Sequence, residues 1–215
     1  MKTIIAIPCM DMMHTDFIRS LVGLQHQHDV QVTFGQSSLV YDSRNKLAEA
    51  ALNGNFDRIL WLDSDMVFGP ETEAQLHADL DRGAEMVSAL CFTRKEPIKP
   101  TVYKRLTTDT LPGGIAQPVA ESYFDYPSDT VFPVQGCGLA AVMMSVSLLQ
   151  KVWDASFGLP FSPMNGFGED FSFCLRVRAL GEPIFCDSRI KVGHVGLCTF
   201  NEEVFRQRPL RKVDL

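Results

Sequence analysis

The chain has 215 residues, of which 46% are hydrophobic and 21% charged, and these ordinary values exclude a disordered or fibrous protein. Its formal net charge of −6 disfavours a general nucleic-acid binder, which needs a basic surface to displace counterions from phosphates. No run approaches the roughly 20 apolar residues that cross a membrane, and the N-terminus has no signal-peptide cleavage site. We therefore expect a soluble, cytoplasmic protein that folds as one domain.

The cysteines contain no CxxC pair, which disfavours a zinc knuckle. Most of them lie in apolar runs, where a free thiol behaves as a small hydrophobic group. Cys137 has no histidine near it in the sequence, so we do not interpret it as a nucleophile. The full set is Cys9, Cys91, Cys137, Cys174, Cys186 and Cys198.

The first 92 residues alternate apolar runs with helical patterns. The run at 3–8 lacks polar alternation, as strands buried on both faces do, and a further buried strand is predicted at 58–62. Strands are also predicted at 30–34 and 86–90. Helices are predicted between them, with starts at Thr15, Ser43 and Pro70 and stops at Gly54 and Gly83 for the second and third. This order predicts right-handed crossovers and a central, mostly parallel sheet flanked by helices.

The second half of the chain is less regular. Prolines recur from 93 to 133 and Gly113-Gly114 marks a turn, which predicts a loop-rich excursion with short edge strands. Further on we predict an apolar strand, two helices and two closing strands, at 134–144, 145–153, 168–181, 184–186 and 190–195. Within the single domain of 1–215, we assign 1–92 to a nucleotide-binding half, 93–200 to an acceptor-binding half and 201–215 to a tail. The basic cluster of the tail is interpreted as solvated, and consists of Arg206, Arg208, Arg211 and Lys212.

Polar residues follow the strands at the edge where parallel sheets bind their ligands, which lies beyond the carboxyl ends. Asp63-Ser64-Asp65 directly follows a predicted buried strand. Two carboxylates two residues apart can face one pocket and hold a hard divalent cation, which neutralises a departing diphosphate. The alternative is a polar turn whose aspartates cap backbone amides.

Two further sets of charged residues lie at predicted helix starts. Arg44 follows the expected cap Ser43, where the positive end of a helix suits a diphosphate or ribose contact, or where it is simply an exposed arginine. Glu169 and Asp170 open a later helix, where acids are favoured by the helix dipole. A carboxylate at that position can also act as a general base towards an acceptor hydroxyl.

Glycines flank two remaining candidates. His194 lies between Gly193 and Gly196, and it is either structural or a ligand that, with two carboxylates, suits manganese. The Gly-Cys-Gly run at 136–138 is too short for a nucleotide-binding fingerprint, so we interpret it as a floor under the sugar or acceptor.

Together these pieces resemble the GT-A fold glycosyltransferases, and in particular the glycosyltransferase family 2-like superfamily. Four blocks in order carry the resemblance, at 4–8, 43–65, 168–181 and 193–194. The resemblance implies a single GT-A, Rossmann-like α/β domain that transfers a sugar, with hexose expected. The donor would be a nucleotide diphosphate sugar, the cofactor Mn²⁺ or Mg²⁺, and the acceptor a hydroxyl of a glycan, lipid or protein.

The resemblance also implies roles for single residues. Asp65 looks like the direct metal ligand, Asp63 like its partner acid on ribose or metal, and His194 like the histidine that completes the metal site. Asp170 looks like the base of inverting members, with Glu169 beside it. The remaining implied nucleotide contacts are Pro8, Met10, Asp11, Arg44 and Ser64.

Some alternatives stay open. In many members an aspartate after the second strand recognises the uracil of the donor. The stretch 35–39 has no carboxylate, so the identity of the nucleotide base stays open. Asp170 would deprotonate the acceptor in an inverting enzyme, which we favour slightly, or stabilise the oxocarbenium-like centre in a retaining one. A sugar-phosphate nucleotidyltransferase would normally have a glycine-rich basic loop after the first strand, which 8–13 is not. A non-catalytic nucleotide-sugar or glycan-binding module is the other alternative.

Overall fold

The computed structural model describes residues 1–196 and 199–207, so Cys198 and three members of the basic tail cluster lie outside the described residues (Arg208, Arg211 and Lys212). Within the described part, no helix is long and apolar enough to span a membrane. Thirteen strands and six helices make up the described fold.

The strands are β1 Lys2–Cys9, β2 Asp29–Gln36, β3 Arg58–Leu62, β4 Met66–Val67, β5 Met86–Leu90, β6 Val102–Leu111, β7 Ile115–Ser122, β8 Val131–Val134, β9 Gly136–Cys137, β10 Ala141–Ser145, β11 Ile184–Lys191, β12 Gly193–Val195 and β13 Thr199–Phe200. The helices are α1 Thr15–Val22, α2 Val40–Asn53, α3 Thr72–Asp81, α4 Val146–Ala155, α5 Glu169–Ala179 and α6 Glu202–Gln207.

Seven strands form the central sheet, in the order β2-β1-β3-β10-β5-β11-β8. β1 pairs in parallel with β2 and β3, and β11 pairs in parallel with β5. β10 is antiparallel to both β3 and β5, and β8 is antiparallel to β11. The expected mostly parallel sheet is therefore mixed, because the later strand β10 inserts between two strands of the first half.

β1 and β3 are buried on both faces, which confirms the α/β class and the buried strands predicted at 3–8 and 58–62, whereas the edge strand β2 is largely exposed. Ile4 and Ala6 of β1 pack against the side of the sheet that α2, α4 and α5 cover. Ile5 and Ile7 pack against the other side, with Phe17 of α1 and residues of α3. Burying each such aliphatic side chain stabilises the fold by roughly 1.5–3 kcal/mol.

Two helix starts differ from the prediction. The cap of α1 is His14 rather than Thr15, because the His14 ring accepts a hydrogen bond from the Asp16 amide. α3 begins at Thr72 after Glu71, so Pro70 lies just outside the helix. At the other end of α3, Gly83 has a φ of +102°, which confirms it as the residue that terminates the helix.

The start of α2 is also earlier than predicted. The helix begins at Val40 after Leu39, and the Ser43 amide already donates to the Leu39 carbonyl. Ser43 is buried, and its hydroxyl donates to the Gly35 carbonyl at the end of β2, at 2.5 Å. Its hydroxyl therefore joins the helix to the strand instead of capping the helix.

The excursion from 93 to 133 is more ordered than predicted. β6 and β7 form a long antiparallel hairpin, with Gly113 and Gly114 in its turn, and β9 pairs with β6 to complete a second sheet. The hairpin packs over the segment before α5, since an added Cβ on Gly166 would lie 3.2 Å from Pro118. The hairpin strands are longer than the predicted short edge strands, and the edge strand β7 tolerates Pro118. β8, with four residues at the edge of the central sheet, is a short edge strand as predicted.

A third sheet joins β4, β12 and β13. The predicted strand at 190–195 is divided between β11, which runs on to Lys191, and β12. Gly193 permits a close approach of β13, since an added Cβ would lie 2.5 Å from Thr199 Cγ2. In this sheet His194 pairs with Met66, and the Val195 amide donates to the Asp65 carbonyl at 2.8 Å.

Gly35→Ala is expected to destabilise the fold, because the added Cβ would lie 2.6 Å from Ser43 Oγ and 2.7 Å from Leu47. The expected loss is about 1–3 kcal/mol in the free energy of unfolding, measured by urea denaturation. Gly69→Ala is the matched control, since its Cβ would meet only the rotatable carboxylate of exposed Glu71. Equal stability of the two variants would contradict the close contact of β2 with α2.

Candidate functional site

A cavity of about 360 Å³ lies at the carboxyl ends of β1, β2 and β3, where the strand order predicts a ligand site. It combines backbone and hydroxyl groups with two carboxylates, an arginine and a histidine. Its described lining consists of Pro8, Cys9, Met10, Ser37, Ser38, Val40, Ser43, Asp63, Ser64, Asp65, Arg94 and His194.

The three residues of the DxD segment all line this cavity, but its two carboxylates have different partners. Asp63 Oδ1 accepts a hydrogen bond from Arg44 Nη2 at 2.7 Å. Asp65 Oδ2 lies 3.2 Å from His194 Nε2 instead. Burial raises the pKa of Asp63 above its usual value, and the Arg44 guanidinium offsets this only in part.

Arg44 lies beneath the cavity rather than on its wall. It is the fifth residue of α2, so the expected position at a helix start is wrong, because the helix begins at Val40. Its side chain is 2% exposed and lies over the Trp61 ring, with 5.5 Å between the guanidinium carbon and the ring centroid. Nη2 reaches Asp63, whereas Nε and Nη1 are buried without a hydrogen-bond partner, although Nε lies 3.8 Å from Glu169 Oε1. A nucleotide contact of Arg44 stays a prediction.

His194 is held in one orientation by the segment after β5. Its Nδ1 lies 2.9 Å from the Phe92 carbonyl oxygen, which can only accept, so Nδ1 carries the hydrogen. The other nitrogen, Nε2, faces Asp65. Burial acts to lower the pKa of His194, but the hydrogen bond and charge of Asp65 outweigh it and raise this pKa. Burial acts in turn to raise the pKa of Asp65, and His194 and Arg94 together hold it below its usual value.

Arg94 is a site residue that the sequence patterns did not indicate. Its Nη1 is in contact with Asp65 Oδ2, and its side chain is 58% exposed at the cavity wall. It follows β5, whose carboxyl end faces the same edge as those of β1 and β3. Ligands of parallel sheets bind beyond the carboxyl ends of the strands, and this rule, applied to the residues after β5, indicates Arg94.

Asp65 and His194 fit a divalent cation as a pair of adjacent ligands. Their facing atoms are 3.2 Å apart, close to the roughly 3 Å between neighbouring ligands around an ion with bonds of about 2.1 Å. The Phe92 carbonyl leaves Nε2 as the nitrogen that would bind. Within residues 1–196 and 199–207, no three His, Cys, Asp or Glu side chains gather as a metal site. A cation held by Asp65 and His194 would need further ligands, for which Asp63 at the same cavity, substrate or water could serve.

Glu169 and Asp170 are the first two residues of α5, after Gly168, as predicted. Glu169 faces Arg44, whereas Asp170 Oδ1 accepts from the Phe171 amide at 2.9 Å. Burial and then the negative charge of Glu169 raise the pKa of Asp170 to about 6, with Arg44 opposing them. Asp170 thus titrates close to neutrality, as a general base needs to do.

The Gly-Cys-Gly run at 136–138 lies beside this carboxylate. An added Cβ on Gly138 would lie 3.7 Å from Asp170 Oδ2, so the backbone passes close to the expected base. Cys137 is fully buried, and its hydrogen bond with Cys174 and its burial raise the pKa of its thiol well above the usual value. This environment agrees with the interpretation that Cys137 is not a nucleophile.

The remaining predicted nucleotide contacts lie at the end of β1 and after it. Pro8 and Met10 line the cavity. Asp11 is not part of the described lining and instead accepts a hydrogen bond from Gln36 Nε2 at 3.1 Å. Asp11 therefore links the segment after β1 to the end of β2, the edge strand of the sheet.

Arg44→Met is expected to destabilise the fold by on the order of 3 kcal/mol at pH 7, because it leaves buried carboxylates without their cation. Loss of the guanidinium raises the pKa values of Asp63 and Asp170 further. A carboxylate whose folded pKa exceeds its unfolded value binds more protons in the native state, so stability increases as pH falls through the folded pKa. The difference in the free energy of unfolding between wild type and Arg44→Met should therefore shrink as the pH is lowered from 7 to 5, as measured by urea denaturation. Adding Asp63→Asn should also recover part of the loss, and additive losses would contradict the Arg44–Asp63 interaction.

Comparison with known proteins shows a shared fold and no family assignment. No protein-family model matches this sequence, and no curated protein matches it either. Among solved structures, A197 from STIV is similar with a TM-score of 0.61 at 18% identity, over 91% of this chain and 86% of that chain. S. aureus TarS 1-349 is similar with a TM-score of 0.51 at 13% identity, over 87% of this chain and 58% of that chain.

Proposed function

We propose that this protein is a glycosyltransferase that moves a sugar from a nucleotide diphosphate sugar to a hydroxyl acceptor. The observation that supports it most directly is the meeting of Asp63, Asp65 and His194 at one cavity, with Asp170 connected to them through Arg44. The fold is similar to that of TarS, which is a glycosyltransferase. The GT-A type is part of this proposal.

At the donor end, the cavity of about 360 Å³ would hold the nucleotide and its diphosphate against the ends of β1, β2 and β3. Asp65 and His194 would hold Mn²⁺ or Mg²⁺, which supplies positive charge to the departing diphosphate. Asp63, bound to Arg44, would stay oriented at the cavity wall for ribose or the cation. Pro8 and Met10, which line the cavity, would contact the nucleotide.

At the acceptor end, Asp170 would take the hydroxyl proton as the acceptor oxygen forms its bond to the anomeric carbon. The bond from that carbon to the donor oxygen breaks, and the nucleoside diphosphate leaves with the electron pair. Attack opposite the leaving group inverts the anomeric configuration. Glu169 faces Arg44 at 3.8 Å, so its role is to keep the guanidinium in place beside the base.

Asp65→Ala is expected to abolish the Mn²⁺-dependent binding of a nucleoside diphosphate, because it removes the carboxylate that faces His194. Calorimetry with UDP and GDP, each with and without Mn²⁺, measures this. His194→Ala should raise the Mn²⁺ concentration needed for binding and leave the melting temperature nearly unchanged. Asp154→Ala, at an exposed acid on α4 that is not among the described lining residues of the cavity, is the control. Wild-type affinity in a folded Asp65→Ala variant would exclude the metal role.

Asp170→Asn is expected to leave donor affinity nearly intact and to lower turnover by about 10²-fold or more, the usual scale for a lost general base. In the wild type, kcat/KM should decrease below about pH 6, because protonation removes the base. The charged groups that act on Asp170 are Glu169, Arg44 and Asp63.

Anomeric NMR of the product tests the stereochemistry, with inversion expected and Asp154→Asn as the control variant. Retention of configuration would contradict the base role of Asp170. Release of pyrophosphate instead of a nucleoside diphosphate would contradict the glycosyltransferase proposal itself and identify a nucleotidyltransferase.

A further inference from the structure

Besides His194, the Asp65 carboxylate has an arginine as a neighbour. Arg94 Nη1 is in contact with Asp65 Oδ2, the same oxygen that lies 3.2 Å from His194 Nε2. The oxygen expected to face a divalent cation is thus already shared by an arginine. A cation bound between Asp65 Oδ2 and His194 Nε2 would compete with this guanidinium, because the two positive groups share one oxygen.

The ion pair between Arg94 and Asp65 can exchange readily for other partners. The Arg94 side chain is 58% exposed and that of Asp65 25% exposed, so water remains close to both groups. An exposed ion pair of this kind contributes at most about fivefold to an equilibrium constant. Arg94 can therefore leave Asp65 at little cost, whereas the buried Arg44 beside Asp63 cannot.

The backbone that supports Arg94 is well anchored. The preceding residue, Thr93, donates its amide to the Lys99 carbonyl at 2.9 Å, and the Thr93 hydroxyl is 3.3 Å from the Lys95 carbonyl. One residue earlier, the Phe92 carbonyl orients His194. A long, exposed side chain thus extends from a fixed base, and it can reach new partners in the cavity without movement of the backbone.

The charge of the cavity gives the displaced guanidinium a second partner. Asp63 and Asp65 both line the cavity, and among its described lining residues Arg94 is the one with a permanent positive charge. A diphosphate that enters beside two carboxylates needs positive charge around it. A guanidinium also binds phosphate oxygens with two parallel N–H donors, which a lysine cannot do.

We propose that Arg94 is an exchangeable residue of the donor site. In the absence of donor it holds Asp65, and when a divalent cation takes its place it turns to bind the donor diphosphate. This inference rests on the proposed function, since it takes Asp65 as a cation ligand and a diphosphate as the occupant. It assigns to Arg94 both a competing role towards the cation and a binding role towards the substrate.

The test is Arg94→Met, which keeps the length of the stem and removes the charge. Free Mn²⁺ is measured by electron paramagnetic resonance without nucleotide, and the binding of UDP, GDP and inorganic pyrophosphate at saturating Mn²⁺ is measured by calorimetry. The two affinities should change in opposite directions. Mn²⁺ alone should bind about two- to fivefold more tightly, and the diphosphates should bind about tenfold more weakly or worse.

Two further variants make the result specific. Arg105→Met removes a comparably exposed arginine that pairs with Asp109 on the hairpin, and it should change neither affinity. Arg94→Lys keeps the charge and loses the fork, so Mn²⁺ should bind as in the wild type while the diphosphates bind more weakly.

The proposal is overturned if wild type binds Mn²⁺ and diphosphate and Arg94→Met behaves like Arg105→Met, and the proposed function then stands. It is also overturned if Arg94→Met weakens both affinities, because the residue would then support the site instead of competing for Asp65. Wild type that binds neither Mn²⁺ nor any diphosphate would overturn both this proposal and the metal assignment of the proposed function.

Discussion

The buried guanidinium of Arg44 connects the parts of this molecule that matter for its site. Asp63 at the end of β3 and Glu169 at the start of α5 both face it, and Asp170 lies within its field. Without a cation among them, these acids would repel one another and resist burial. One arginine on α2 therefore allows a strand end and a helix start from opposite halves of the chain to approach closely. Two of its nitrogens have no hydrogen-bond partner, and the guanidinium lies between the Trp61 ring and the acids Asp63 and Glu169.

The mixed sheet explains how those halves meet. β10 inserts between β3 and β5, and β11 pairs on the far side of β5, so the later strands extend the sheet that the first strands begin. The chain then continues into β12, which pairs with β4 directly after the DxD segment. His194 reaches Asp65 because of this pairing, although the two residues are 129 positions apart. The order in which the strands pair therefore brings the residues of the site together.

The carboxylates of the site are held in different protonation ranges. His194 and Arg94 keep the pKa of Asp65 below its usual value, so that it stays charged and suited to a cation. Burial and Glu169 raise the pKa of Asp170 to about 6, which suits proton transfer near neutrality. Pairs of acids whose environments move their pKa values apart are typical of sites with divided roles. The two arginines of the site differ in exposure instead, since the side chain of Arg44 is buried and that of Arg94 is exposed.

The sequence by itself determined the buried strands. A continuous apolar run such as that of β1 has no polar face to expose to water, so it fits a strand that is covered on both faces of the sheet. It also determined which polar residues follow strand ends, and so placed Asp63 and Asp65 at the edge of the sheet where the cavity lies. Helix starts were less predictable, because a hydroxyl such as that of Ser43 can cap a helix or bind a neighbouring strand, and only packing selects between them. The insertion of β10, the pairing of His194 with Asp65 and the contact of Arg94 with the same oxygen were decided by the tertiary structure. These features depend on contacts between distant segments, which local pattern and propensity do not encode.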